Sequence, residues 1–120
     1  SKVGLMSTTG TRKIGVYREI AQKVGVEIVE VDEKYQGELH HDIYNDKDGI
    51  KKLSKASERV RANFEGYVQM LKEKGAKAVI LGCTEIPIVF PEEQEFDGVK
   101  LIDPMDVLAQ QLCLKGSKLN

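Results

Sequence analysis

Short apolar runs alternate along this chain with longer stretches in which apolar residues recur at helical spacing. "KVGLM" (2–6) closes on the polar "STTGT", the pattern of a buried strand ending in a tight turn. From Arg12 to Val24 the apolar residues Ile14, Val16, Tyr17, Ile20, Ala21 and Val24 predict a helix, with Gly25 as its stop. "VEIVEV" (26–31) alternates and is rich in Val and Ile, which predicts a second strand. Residues 32–52 are polar, hold both histidines, and predict only a short helical turn near "DIYND". The clearest helix covers 54–74: Ser54 or Ser57 caps it, Val60, Phe64, Tyr67, Val68 and Leu71 form its apolar side, and Gly75 ends it. "AKAVILG" (76–82) is nearly continuous in apolar residues, as in a strand covered on both faces. Pro87 and Pro91 bracket a short segment, and "GVKLID" (98–103) predicts a fourth strand. "DPMDVLAQQLCLKG" then predicts a closing helix over 103–115, with Asp103 at the N-cap and Pro104 at the first helical position.

This alternation predicts an α/β fold: a small doubly wound four-stranded parallel sheet flanked by helices and joined by right-handed crossovers. In such folds ligands bind beyond the carboxyl ends of the strands. "STTGT" follows the first strand, "ELHHDIYNDK" the second, "CTE" the third and Asp103 the fourth, so all four fall on one edge of the sheet.

Composition narrows the field further. With 120 residues a single domain is expected, and 41% hydrophobic with 31% charged residues is an ordinary balance for one globular core. A net charge of −1 gives no electrostatic case for nucleic acid or an anionic membrane as partner. No apolar run approaches the roughly 20 residues of a membrane span, and the N-terminus lacks the pattern of a signal peptide. Cys83 and Cys113 show no C-x-x-C spacing, so neither a disulfide framework nor a zinc site is indicated. A reducing cytoplasm is the expected setting.

The stretch "ILGCTEIP" (80–87) carries the most chemistry. Cys83 stands where a strand gives way to a turn, and backbone N–H groups there would favour its thiolate. A buried, inert cysteine is the plain alternative. Thr84 and Glu85 directly after it suit substrate contact or proton handling. "STTGT" offers the hydroxyls of Ser7, Thr8, Thr9 and Thr11 as a cradle for a small anion, or is simply a strand-to-helix turn with capping threonines. His40 and His41 are adjacent and, in an extended segment, point opposite ways, which reads as a solvated pair. Lys47 is a candidate for a substrate's second carboxylate or an ordinary surface lysine, and Lys51, Lys52, Lys55 and Arg59 read as a solvated helix face. Cys113 reads as packing.

Together these motifs resemble the aspartate/glutamate racemase superfamily, and within it the cofactor-independent aspartate racemases. "VGLMSTTGT" resembles the opening of the family's second half, followed by a helix bearing Tyr17. "IYND" resembles its segment ahead of the long helix, "GAKAVILGCTEIP" its second cysteine motif, and "LIDPMDVLAQ" its closing strand and helix. The resemblance implies that Cys83 is one of two catalytic cysteines, working without pyridoxal phosphate or a metal. Thr84 would fix the substrate carboxylate, and Glu85 stands where glutamate racemases have a histidine assisting the thiol. Thr8, Thr9 and Thr11 would hold a carboxylate, and Lys47 its second one, although "IYNDKDG" is one residue shorter than the family's usual spacing.

Members of that superfamily are about twice as long, with the active site between two similar domains. The chain therefore resembles the C-terminal half, a single α/β domain over 1–120, inactive alone and partnered by a small dicarboxylic amino acid and a missing N-terminal domain. The closing helix would pack on that domain, and bared apolar surface would favour a homodimer. Alternatives are a relative of the hydantoin racemases or maleate isomerases, or a non-catalytic dicarboxylate-binding module.

Overall fold

The computed structural model describes residues 2–91 and 94–104. In chain order they form β1 (Lys2–Met6), α1 (Thr9–Ile14), α2 (Val16–Lys23), β2 (Glu27–Val29), α3 (Glu33–Tyr44), α4 (Ile50–Leu53), α5 (Glu58–Glu73), β3 (Ala78–Leu81), a 3-10 turn (Ile86–Val89), β4 (Glu95–Phe96) and β5 (Val99–Ile102). The strand order is β2-β1-β3-β5-β4, parallel through β5, with β4 antiparallel at the edge. The α/β class holds, with five strands in place of the expected four. The fifth, β4, is two residues long and so lacks any readable alternation. Asp97 and Gly98 fold it back onto β5 with φ of 50° and 79°, the backbone a tight hairpin needs. Among the described residues no helix is long and apolar enough to cross a membrane.

Two further expectations are corrected. The helix predicted over 12–24 is divided: it starts earlier, at Thr9, and Gly15 at φ 74° breaks it into α1 and α2. The segment 32–52 holds the twelve-residue α3 and the short α4 rather than one turn. Tyr35, Leu39 and Ile43 recur every fourth residue and turn inward there, a signal that Gly37 and the two histidines obscured. The helix predicted over 54–74 is α5, capped by Ser57, whose hydroxyl accepts from the Val60 N–H. The closing helix 103–115, with Cys113, lies outside the described residues beyond Pro104.

Strand alternation divides the packing into two layers. Met6, Val79 and Leu81 face α3 and α5, where Leu39, Ile43, Phe64, Val68 and Leu71 are buried against them. On the other face Leu5 and Ile28 pack with Ala21 of α2, together with the half-buried Val3, Tyr17 and Ile80. At about 25 cal/mol per Å² of apolar surface removed from water, the first layer supplies most of the stabilisation.

Candidate active site

The chain leaves β1 toward β2 on one side and returns to β3 on the other, so a crevice opens beyond the carboxyl ends of β1 and β3. Register places Met6 beside Leu81, and the Gly82 N–H donates to the Met6 carbonyl at 2.8 Å. A Cβ on Gly82 would lie 2.8 Å from Leu5 Cδ1 and 3.0 Å from that carbonyl oxygen. Only glycine permits this approach, which sets Cys83 next to the turn that opens at Ser7.

Cys83 is half-buried, and its Sγ donates to Glu85 Oε2 at 2.8 Å. Thr84 Oγ1 donates to the same oxygen at 2.8 Å. The expected lowering of the thiol is overturned: burial first, then the hydrogen bond to Glu85, pushes it up to about 11. Backbone N–H groups of Glu85 and Ile86 do favour the thiolate, but they are outweighed. The bond from Cys83 in turn holds the Glu85 carboxyl below the usual range, helped by Thr84 and by the charge of Lys51. At neutral pH the pair is therefore a protonated thiol on an ionised carboxylate.

The threonine turn is closed on itself. Thr8 caps α1, its Oγ1 accepting from the Thr11 N–H at 3.3 Å and donating to Thr11 Oγ1 at 3.1 Å. The buried Gln36 of α3 holds the turn from behind, its Nε2 donating to the Ser7 carbonyl at 2.8 Å. Arg12 locks Gln36 in place through its Oε1 at 3.1 Å and also donates to the Val31 carbonyl.

Sequence reasoning missed what α3 and α4 bring. His40 is not in an extended loop: its Nδ1 accepts from the Thr9 N–H at 3.3 Å, and its ring lies 4.8 Å from that of Tyr44, one helical turn on. The Tyr44 phenol is raised by partial burial and then by the charges of Cys83 and Glu85. Lys51 Nζ sits 5.5 Å from the Tyr44 ring centre. A line of contacts thus runs from Thr9 through His40 and Tyr44 to Lys51, whose charge acts on Glu85. Lys47 stands apart, its backbone N–H held by Asn45 Oδ1 at 2.9 Å and its side chain exposed.

A hollow of about 90 Å³ opens over the thiol, lined by Tyr17, Leu81, Gly82, Cys83, Thr84, Asp103 and Pro104. The ends of β3 and β5 meet α2 there, in agreement with the shared edge that the sequence placed. A larger groove of about 330 Å³ lies between α1 and α3 and does not include the thiol. Among the described residues no three His, Cys, Asp or Glu side chains converge as a metal site would require.

Comparison with known proteins agrees with this geometry. The chain is 27% identical over 112 residues to a glutamate racemase of Ectopseudomonas mendocina, covering 92% of this chain and 40% of the relative. It thus spans about two-fifths of the length of that curated relative. A protein of Yersinia pestis described as a candidate Asp/Glu racemase superposes with a TM-score of 0.71 at 27% identity, over 85% of this chain and 42% of that one. An aspartate racemase homologue of Pyrococcus horikoshii shares the fold at a TM-score of 0.71 and 24% identity, over 97% of this chain and 48% of its own. The Asp/Glu/Hydantoin racemase family model matches residues 1–112. The chain belongs to the Asp/Glu/hydantoin racemase family.

Proposed function

We propose that this chain is the second half of a cofactor-independent two-cysteine racemase acting on aspartate or glutamate, with Cys83 as one of the two proton carriers. The observation that carries the reading is the Cys83–Glu85 hydrogen bond of 2.8 Å at the carboxyl end of β3. Inversion at an α-carbon needs a base on one face and an acid on the other. A thiolate on one face takes the α-proton, and a thiol on the opposite face delivers one. With its thiol pushed up to about 11, Cys83 rests as the acid. Donation to the substrate leaves a thiolate, which is reprotonated when the next α-proton arrives from the other direction.

Glu85 stays ionised and acts as the acceptor that keeps the thiol protonated and aimed, since it accepts from both Cys83 and Thr84. The hydroxyls of Thr8, Thr9, Thr11 and Thr84 bind the substrate's α-carboxylate, which spreads the negative charge of the carbanion-like transition state. Lys51, whose charge acts on Glu85, is the cation for the second carboxylate in place of Lys47, which stands apart. The opposite face belongs to the missing half, so the isolated chain is inactive.

α-Proton exchange in deuterated water, with both enantiomers of aspartate and glutamate, tests this. Exchange is expected from a form extended to carry both halves, not from the 120-residue chain, and Cys83→Ala in the extended form should abolish it. An extended form that binds a dicarboxylate yet never exchanges the proton would replace the racemase with a binding module.

A further inference from the structure

Asp42 is fully buried on α3, next to Leu39 and Ile43 on the same helix. A well-packed hydrophobe in place of a buried charge is often neutral or stabilising, so stability alone does not account for a carboxylate here. Its Oδ2 accepts from Asn63 Nδ2 at 3.0 Å and from the Tyr67 hydroxyl at 3.1 Å. Among the described residues its Oδ1 has no well-directed hydrogen bond, and Arg59 Nη2 lies 3.1 Å from it. The same guanidinium grips Asp48 with two hydrogen bonds, Nε to Oδ2 at 2.9 Å and Nη2 to Oδ1 at 2.8 Å. Ser57 Oγ adds a third to Asp48, and the Asp48 N–H is held by Asn45.

Arg59 on α5 therefore ties together two points that flank the candidate site. Asp42 lies two residues before Tyr44, and Asp48 lies three before Lys51. Lys51 Nζ lies 5.5 Å from the Tyr44 ring centre, and α4 packs on the 3-10 turn that directly follows Glu85, so both groups belong to the wall next to the Cys83–Glu85 pair. We propose that Arg59 is a positioning residue: by joining Asp42 to Asp48 it fixes Tyr44 and Lys51 beside the thiol and its carboxylate. This rests on the reading of Cys83 and Glu85 as the reacting pair. The Arg59–Asp48 pair is partly exposed and adds little energy by itself, so its role is geometric. A planar fork can hold two carboxylates in fixed directions, which a lysine cannot.

The test is the reactivity of Cys83 in the whole chain, with Cys113→Ser so that one thiol reports. The ratio of alkylation rates by anionic iodoacetate and neutral iodoacetamide measures the positive field at the sulfur. Lys51→Gln is expected to lower that ratio about two- to three-fold, the order of effect of removing one nearby charge screened by water. Arg59→Lys keeps the charge but should lower the ratio in the same direction, and the double substitution should fall no further than Lys51→Gln alone. Asp48→Asn, which loosens the same bridge, should do likewise if the lysine variant folds poorly. Val99→Ala, a buried change on β5, should lower thermal stability and leave the ratio alone. An unchanged ratio in both Arg59→Lys and Asp48→Asn, or effects of Arg59 and Lys51 that add, would overturn the proposal. Because the readout is alkylation, it decides the matter even if no racemase activity is found.

Discussion

On the face of the sheet under α3 and α5, Met6, Phe64, Leu71 and Val79 are sealed from solvent, whereas Ile14 of α1, Ile20 of α2 and Val24 at the end of α2 stand 75, 57 and 71% exposed. Both regions show the same helical spacing of apolar residues in sequence. The spacing identifies a helix but not whether its apolar side is covered, since coverage depends on what else reaches that side. Ala21, a small residue, is the one fully buried residue of α2, with the half-buried Tyr17 packed beside it, while Val16 and Ile20 project away from the sheet. The groups of the candidate site follow the same division: His40, Tyr44 and Lys51 come from the sealed side and Tyr17 from the open one.

Core truncation sharpens this contrast most. Phe64→Ala removes a fully buried ring and should cost about 3–5 kcal/mol by denaturant titration; a cost below about 1 would mean the sealed layer is loosely packed. Tyr67→Phe comes next. Its hydroxyl donates toward Glu38 Oε1 at 2.7 Å and Asp42 Oδ2 at 3.1 Å, so its loss leaves a buried carboxylate short of a donor, at about 1–3 kcal/mol.

Asp48→Asn should act through pH. Hydrogen bonds from Arg59 and Ser57 hold the Asp48 carboxyl below its ordinary value. The folded state then binds fewer protons than the unfolded one, so this stabilisation is full above the unfolded value of about 4 and disappears as pH falls below it. The substitution should flatten the acid limb of stability, measured by melting temperature from about pH 5 downward; an identical limb would show that the Asp48 contacts carry no free energy. The smallest effect is expected on the open side. Ile20→Ser should change stability by no more than about 0.5 kcal/mol. If this side associates with a second copy, the same substitution should reduce concentration-dependent sedimentation.

The strands β1 and β3 and the helix α5 were legible because their apolar residues are many and local. Cys83 was placed at its strand end for the same reason, and Thr8 and Thr9 at theirs. The remainder depends on tertiary contacts. α3 was hidden by Gly37 and by polar residues that turn inward, Gln36 to the Ser7 carbonyl and Asp42 to Tyr67 and Asn63. With α3 read as loop, His40 and Tyr44 could not be assigned to the site. The state of the thiol was misjudged because strand-end N–H groups are visible in sequence, whereas burial and the direction of the Glu85 side chain are not.

The central pairing of the sheet has a consequence for how the molecule is made. Leu5 aligns with Ile80, seventy-five residues downstream. As the chain leaves the ribosome at about 5–20 residues per second, β1 waits several seconds with one edge unsatisfied, sheltered only by β2 on the other. The crevice cannot exist before β3 docks, so the threonine turn and the thiol meet late, in a step slowed by loop closure. Pulse-labelled hydrogen exchange would register this as simultaneous protection of the Leu5 and Ile80 amides; earlier protection of β1 in contact with β3 residues still exchanging would reverse the order.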